Sequence, residues 1–167
     1  MGHHATKILQ YELHNLVRSK WLLALAAVLA VVTELLFRFG GDPAKVVTSL
    51  MNIVLVVVPL LSVVLGTIYF YNAREFNELL LAQPTNRTSI YLGKLAGFSG
   101  ALCLALVVGL GLPFLIHGFA LRMYAARMAT LLGVGCCFVV IFTSLAFYAA
   151  TRFEDRIKGL GTTLLVW

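Results

Sequence analysis

Two ionisable side chains interrupt the first long apolar stretch of the chain, and they are the pair of residues most able to do chemistry. Glu34 and Arg38 stand four positions apart, so on a helix they share one face and can form an ion pair. A carboxylate in apolar surroundings can instead line a path for ions or protons. Trp21 marks the start of this stretch and Glu34 falls toward its far end, where both side chains can reach water. We therefore expect a structural pair, with a transport-path carboxylate as the alternative.

Two uncharged polar residues also stand within apolar stretches. Asn52 has an amide, which in such a setting usually hydrogen bonds between helices, and His117 is expected to be an interfacial or packed histidine. Because histidine is a frequent ligand or proton relay, a substrate role for His117 is the less favoured alternative. The three cysteines lack metal-ligand spacing, so we predict no metal site and no cofactor.

The chain has none of the common short motifs for catalysis. It contains no Gly-x-x-x-x-Gly-Lys-Ser/Thr loop for nucleotide phosphates, no Gly-x-Ser-x-Gly nucleophile motif and no His-Glu-x-x-His zinc motif. We therefore expect no enzymatic activity and no catalytic residue. Any step that uses energy must be supplied by a partner.

The elements that hold these residues are predicted to be helices that cross a membrane. The chain is 60% hydrophobic and only 12% charged, against about 25% charged in soluble domains. Residues 46–73, 95–121 and 128–151 contain no formal charge, and about 20 apolar residues suffice for a helix to cross the hydrocarbon layer. The sequence predicts an all-α polytopic membrane helix bundle with four transmembrane helices and the start of a fifth. The predicted spans are 21–39, 46–72, 95–117 and 128–151, with the fifth at 159–167.

Charge and periodicity place the remaining segments. In residues 1–20 the apolar positions recur with helical spacing and the polar positions lie mostly between them. This pattern predicts an interfacial amphipathic helix. With a cytoplasmic N terminus, nine lysines and arginines lie inside and four outside, as the positive-inside rule favours. The net charge of +6 is scattered between apolar runs, so we predict contact with the lipid bilayer and no nucleic acid partner.

Residues 73–94 form the longest connection on the predicted cytoplasmic side. Ahead of Pro84, a charged face is formed by Arg74, Glu75 and Glu78, and an apolar face by Phe76, Leu79, Leu80 and Leu81. This spacing predicts a short amphipathic helix that ends before Pro84. Such a helix can dock in a groove of a partner or simply cover the end of the bundle. The composition favours neither alternative.

The same segment carries a resemblance to a known family. The order Leu79-Leu80, Pro84, Arg87 and Gly93-Lys94 resembles the first cytoplasmic loop of ABC-2 type transporter permeases. Further matching positions are Glu12, Leu13, Arg18, Lys20, Trp21, Leu22, Asp155, Arg156, Lys158, Gly159 and Gly161. Within the family, the chain looks most similar to permeases of nitrous-oxide reductase maturation clusters.

This resemblance implies a six-span permease of the bacterial inner membrane that dimerises and binds two copies of a cytoplasmic ABC ATPase. The implied coupling residues are Arg74, Glu75, Phe76, Glu78, Leu79, Leu80, Pro84 and Arg87. Glu75 and Phe76 depart from the family, which commonly has Gly-Thr ahead of Leu-Leu.

The end of the sequence at Trp167 suggests a fragment, a split gene or an incompletely built chain that needs a second permease half or copy. The alternative function is a structural or accessory four-span subunit of a larger membrane complex. In that alternative the chain is a transporter relic that packs against other membrane subunits and transports nothing.

Overall fold

The computed structural model describes residues 20–72, 87–117, 124–153 and 155–166, and within them every regular element is helical. The helices are α1 (Lys20–Phe39), α2 (Pro43–Asn72), α3 (Arg87–Ile116), α4 (Ala125–Arg152) and α5 (Arg156–Val166). Helices α1 to α4 are long and apolar enough to cross a membrane. The predicted all-α bundle with four candidate spans is confirmed. The predicted interfacial helix in residues 1–20 lies outside the described residues, except for Lys20.

The helices begin earlier than the apolar stretches do. The largest difference is in α3, which starts at Arg87 although the span was predicted to start at residue 95. Residues 87–94, predicted as the last part of a loop, are therefore helical. The apolar pattern marks where a helix can lie in hydrocarbon, whereas the helical backbone can begin in the polar sequence that precedes it. Helix α5 likewise starts at Arg156 and not at residue 159.

A tight turn joins α1 to α2. The Gly40 N–H donates to the Leu36 carbonyl at 2.8 Å, and Gly41 has a φ of 66°, a conformation that favours glycine. The Asp42 carboxylate then accepts a hydrogen bond from the Ala44 N–H at 3.0 Å and caps α2. We call this side of the bundle, which also holds the end of α3 and the start of α4, the turn end. The opposite side, with Asn72, is the loop end.

The two main helix pairs are α2 with α4 and α1 with α3. A glycine lies close to the partner helix in each pair. A Cβ at Gly66 of α2 would lie 3.3 Å from Ala146 of α4, and one at Gly109 of α3 would lie 2.7 Å from the Cβ of Leu29 of α1. Without a side chain at these positions, the backbones can come together, as is common between membrane helices.

Phe147 of α4 is the centre of the core near the loop end and is 0% exposed. Its ring has aromatic neighbours on α2 and α3, with centroids 5.2 Å away for Phe70, 6.0 Å for Phe98 and 6.1 Å for Tyr69 and Tyr91. Aromatic rings at these separations attract each other beyond their contribution to buried area. The cluster therefore ties three spans together around one side chain.

Buried hydroxyl groups are satisfied inside their own helices. Thr33, Ser62, Thr67, Thr143 and Thr163 each donate a hydrogen bond to the carbonyl four residues earlier. A hydroxyl that donates to its own helix costs little when buried in an apolar bundle. The buried core between the described spans is instead apolar, with valine and leucine as its most numerous side chains.

Candidate functional site

The last two residues of α2 are hydrogen bonded to the connection between α4 and α5. The Tyr71 hydroxyl oxygen lies 2.7 Å from the Phe153 carbonyl oxygen and 3.1 Å from the Asp155 carbonyl oxygen. Its single proton can serve one carbonyl at a time. The Asn72 side-chain oxygen accepts a hydrogen bond from the Arg156 guanidinium at 2.5 Å. We call these five residues, Tyr71, Asn72, Phe153, Asp155 and Arg156, the latch.

The local sequence around the latch explains its shape. Helix α4 ends at Arg152, because Phe153 has extended backbone angles, and Phe153 donates its N–H to the Ala149 carbonyl. The first turn of α5 is closed by a bond from the Gly159 N–H to the Asp155 carbonyl at 3.0 Å. A Cβ on Gly159 would lie 2.6 Å from the Tyr71 hydroxyl oxygen, so a side chain at this position would displace the hydroxyl from these carbonyls.

The latch holds the place where the chain leaves α2. Asn72 is the last residue of α2, and the predicted coupling segment follows it directly. The hydrogen bonds join this residue and Tyr71 to the start of α5, far along the sequence. A movement at the end of α2 must therefore either carry α5 with it or break these bonds.

Most of the predicted coupling residues lie outside the described residues. This holds for Arg74, Glu75, Phe76, Glu78, Leu79, Leu80 and Pro84. Arg87 is the first residue of α3, and Lys94 lies within α3 with only 4% of its surface exposed. The docking role of these residues stays a prediction.

The predicted ion pair of α1 is present at the turn end. The Arg38 Nε donates to the Glu34 Oε1 at 3.1 Å, with 70% of the arginine side chain and 31% of the glutamate side chain exposed. This exposure agrees with a pair that reaches toward the interface. An exposed i,i+4 pair contributes only about 0.3–0.5 kcal/mol to stability. The geometry therefore matches the structural pair expected from the spacing.

The sequence did not indicate that His117 would approach the second oxygen of Glu34. The Nδ1 of His117 lies 3.0 Å from the Pro113 carbonyl oxygen and 3.6 Å from Glu34 Oε2. Since a carbonyl can only accept, Nδ1 carries a proton. The imidazole also stacks on Phe37 of α1, with ring centroids 5.2 Å apart and planes 14° apart. His117 thus links the end of α3 to α1, as a packed histidine would.

We call Glu34, Arg38 and His117 the polar cluster. One oxygen of its carboxylate is paired with the Arg38 guanidinium, and the other lies 3.6 Å from the imidazole Nδ1 of His117. Asn52, in contrast, is exposed on α2, and within the described residues its side chain has no hydrogen-bond partner. The expected interhelical hydrogen bond of Asn52 is therefore not formed among these residues.

Comparison with known proteins identifies distant relatives. No protein-family model matches the chain. It is 26% identical over 180 residues to the probable ABC transporter permease protein NosY of Pseudomonas aeruginosa, and 27% identical over 177 residues to the NosY of Stutzerimonas stutzeri. Each alignment covers 96% of this chain and 64% of the relative, so the chain spans less than two thirds of the length of either relative.

These matches confirm the resemblance to ABC transporter permeases that the short motifs indicated. The chain is a distant homologue of NosY and an ABC transporter permease-like, multi-pass membrane protein.

Proposed function

We propose that the chain is a membrane-spanning permease subunit of an ABC-type exporter, driven by a separate cytoplasmic ATPase that docks on residues 73–94. The observation that carries this proposal is the similarity to two ABC transporter permeases across 96% of the chain. The predicted coupling segment follows the latch directly. A second permease half or copy completes the transport unit in this proposal.

The proposed orientation places the loop end in the cytoplasm. The asymmetry of nine lysines and arginines against four supports it. In this orientation the segment that begins at residue 73 faces the compartment that holds ATP. The polar cluster then lies on the outer side, where its charges can be hydrated.

In the proposed mechanism, the latch transmits movement of the docked segment into the bundle. ATP binding displaces the segment, which pulls on the end of α2. Tyr71 and Asn72 pass the displacement to the start of α5 through their hydrogen bonds. The Phe147 aromatic cluster joins α2, α3 and α4 just inside the latch, so these spans tilt together. Transmission of the movement requires a stiff connection, which closely packed buried rings and hydrogen bonds provide.

Co-purification tests the docking. The full-length protein is expressed with a candidate ABC ATPase subunit, and the complex is isolated through a tag on the ATPase. Charge reversal by Arg74→Glu should weaken the complex because it changes the proposed docking face. Lys45→Glu, an exposed charge reversal at the turn end, should leave the complex intact. Hydrolysis of nucleotide by the purified chain alone, or equal losses in both variants, contradicts the proposal.

A glycine pair tests the latch separately from the docking. Gly159→Ala places a methyl group 2.6 Å from the Tyr71 hydroxyl oxygen, whereas Gly161→Ala meets nothing within 4 Å. Both variants should still bind the ATPase. ATP hydrolysis by the complex should fall in Gly159→Ala and stay at the parent rate in Gly161→Ala. Equal rates in the two complexes would show that the latch does not take part in coupling.

A further inference from the structure

A groove of about 300 Å³ lies between α2 and α4 at the turn end, away from the latch and the polar cluster. Its apolar walls are formed by Val47, Met51, Val54, Leu55, Leu131 and Val134. The groove belongs to two helices that are long and apolar enough to cross a membrane, so lipid chains are its natural surroundings. Its apolar lining suits a hydrocarbon chain.

The polar groups of the groove offer a positive charge and no negative one. Thr48 and Thr130 line it, but each hydroxyl donates its proton to a carbonyl of its own helix at 2.9 Å. Arg127 also lines it, with its guanidinium carbon 5.6 Å from the ring centroid of Tyr124. No carboxylate in the described part of the chain pairs with Arg127. Among the described residues, the guanidinium thus lies over an aromatic ring and its positive charge is not neutralised.

The position of Arg127 adds to its preference for an anion. It lies in the first turn of α4, where the helix dipole disfavours a cation. Placing a negative group beside the guanidinium removes this unfavourable interaction and adds a charge-assisted hydrogen bond. Arg38 at the groove between α1 and α3 differs in this respect, since it is paired with Glu34.

We propose that the α2–α4 groove is a binding site for an anionic phospholipid. One acyl chain lies along the apolar walls, and the phosphate contacts Arg127. A headgroup with a net negative charge is favoured over a zwitterionic one, because none of the described residues that line the groove has a carboxylate for an ammonium group. This site does not depend on the proposed ATPase coupling. The lipid site depends on α2 and α4 and on the positive charge of Arg127.

Spin-labelled lipids test the site in the reconstituted full-length protein. Electron paramagnetic resonance measures the fraction of label that is immobilised by the protein, for phosphatidylglycerol and for phosphatidylcholine. One cation beside an anionic headgroup predicts about a fivefold preference for phosphatidylglycerol at this site. Arg127→Gln should remove the preference, Arg127→Lys should keep most of it, and Arg38→Gln should leave it unchanged. A preference that survives Arg127→Gln, or that is absent from the parent, overturns the proposal.

A second pair of variants tests the groove itself. Val134→Phe fills the groove with an apolar ring, whereas Val140→Phe enlarges an exposed residue of the same helix that does not line it. Only Val134→Phe should reduce the immobilised phosphatidylglycerol. Light scattering on the same samples gives the oligomeric state. A change of oligomeric state in Val134→Phe with unchanged lipid selectivity would assign the groove to a protein contact and refute the lipid site.

Discussion

The contact between α1 and α3 depends on the absence of a side chain at Gly109, and Gly109→Ala tests this directly. A Cβ at this position would lie 2.7 Å from the Leu29 Cβ and 3.0 Å from the Ala26 carbonyl oxygen. Carbon atoms in ordinary contact are about 3.5–4.0 Å apart. Since Leu29 Cβ and the Ala26 carbonyl are fixed to the α1 backbone, no rotamer change relieves the clash. Helix α1 must therefore withdraw by roughly 1 Å.

The magnitude follows from two opposing terms. Overpacking of this kind costs about 1–3 kcal/mol. Replacing glycine by alanine inside a helix gains about 0.5–1 kcal/mol. Gly111→Ala is the matched control, because it lies on the same helix and its Cβ would meet nothing within 4 Å. The propensity gain cancels in the comparison, so Gly109→Ala should be less stable than Gly111→Ala by about 1–3 kcal/mol.

Unfolding by sodium dodecyl sulfate in mixed micelles, followed by circular dichroism, measures this difference. The parent protein and both variants are titrated at the same micelle concentration, and the free energies of unfolding are compared. Gly111→Ala should equal or exceed the parent. If Gly109→Ala is as stable as Gly111→Ala, the close approach of α1 and α3 at this position is wrong.

Three further predictions concern the turn end, the latch and the orientation. Glu34→Gln should change the free energy of unfolding by less than about 0.5 kcal/mol in the same titration, since the pair with Arg38 is exposed, and a loss of folding would refute its structural role. Tyr71→Phe should lower the free energy of unfolding by about 1 kcal/mol through loss of one hydrogen bond to a carbonyl, and an unchanged value would refute that bond. In a cysteine-free background, an impermeant thiol reagent applied to intact cells should label Asp42→Cys and not Asn86→Cys, and the reverse pattern would overturn the proposed orientation.

The four spans were predictable because a long uncharged stretch has few alternatives in a protein of this composition. A helix in hydrocarbon satisfies its backbone groups internally, so length and hydropathy are enough to find it. The start of α3 was missed for a related reason. Residues 87–94 include arginine, threonine, serine, tyrosine and lysine, whose polar groups suit the interface, and hydropathy does not detect helix there.

Whether a candidate site could be predicted from the sequence depends on how far apart its residues lie along the chain. The pair of Glu34 with Arg38 could be predicted because a spacing of four fixes the two residues on one helical face. The approach of His117 to Glu34 requires knowing that α1 packs on α3, which no local pattern states. The same holds for Tyr71 and Gly159. A tyrosine at a helix end and a glycine in a later helix have no distinctive spacing, and only the fold brings them together.

Close contact between helix surfaces, and not the order of the helices along the chain, determines which helices pack together. A short turn joins α1 to α2, yet these two helices contact each other far less than α1 contacts α3 or α2 contacts α4. Each favoured pair has a glycine in close contact with the partner helix, Gly109 for α1 and α3 and Gly66 for α2 and α4. In a membrane the hydrophobic effect does not distinguish one apolar helix surface from another, so the pair that approaches most closely gains most from dispersion forces. The latch adds a hydrogen bond to the α2–α4 pair alone, because Tyr71 of α2 donates to the carbonyl of Phe153 directly after α4. The α2–α4 pair is therefore held along its length and at its loop end, which suits it to carry displacement from the loop end into the bundle.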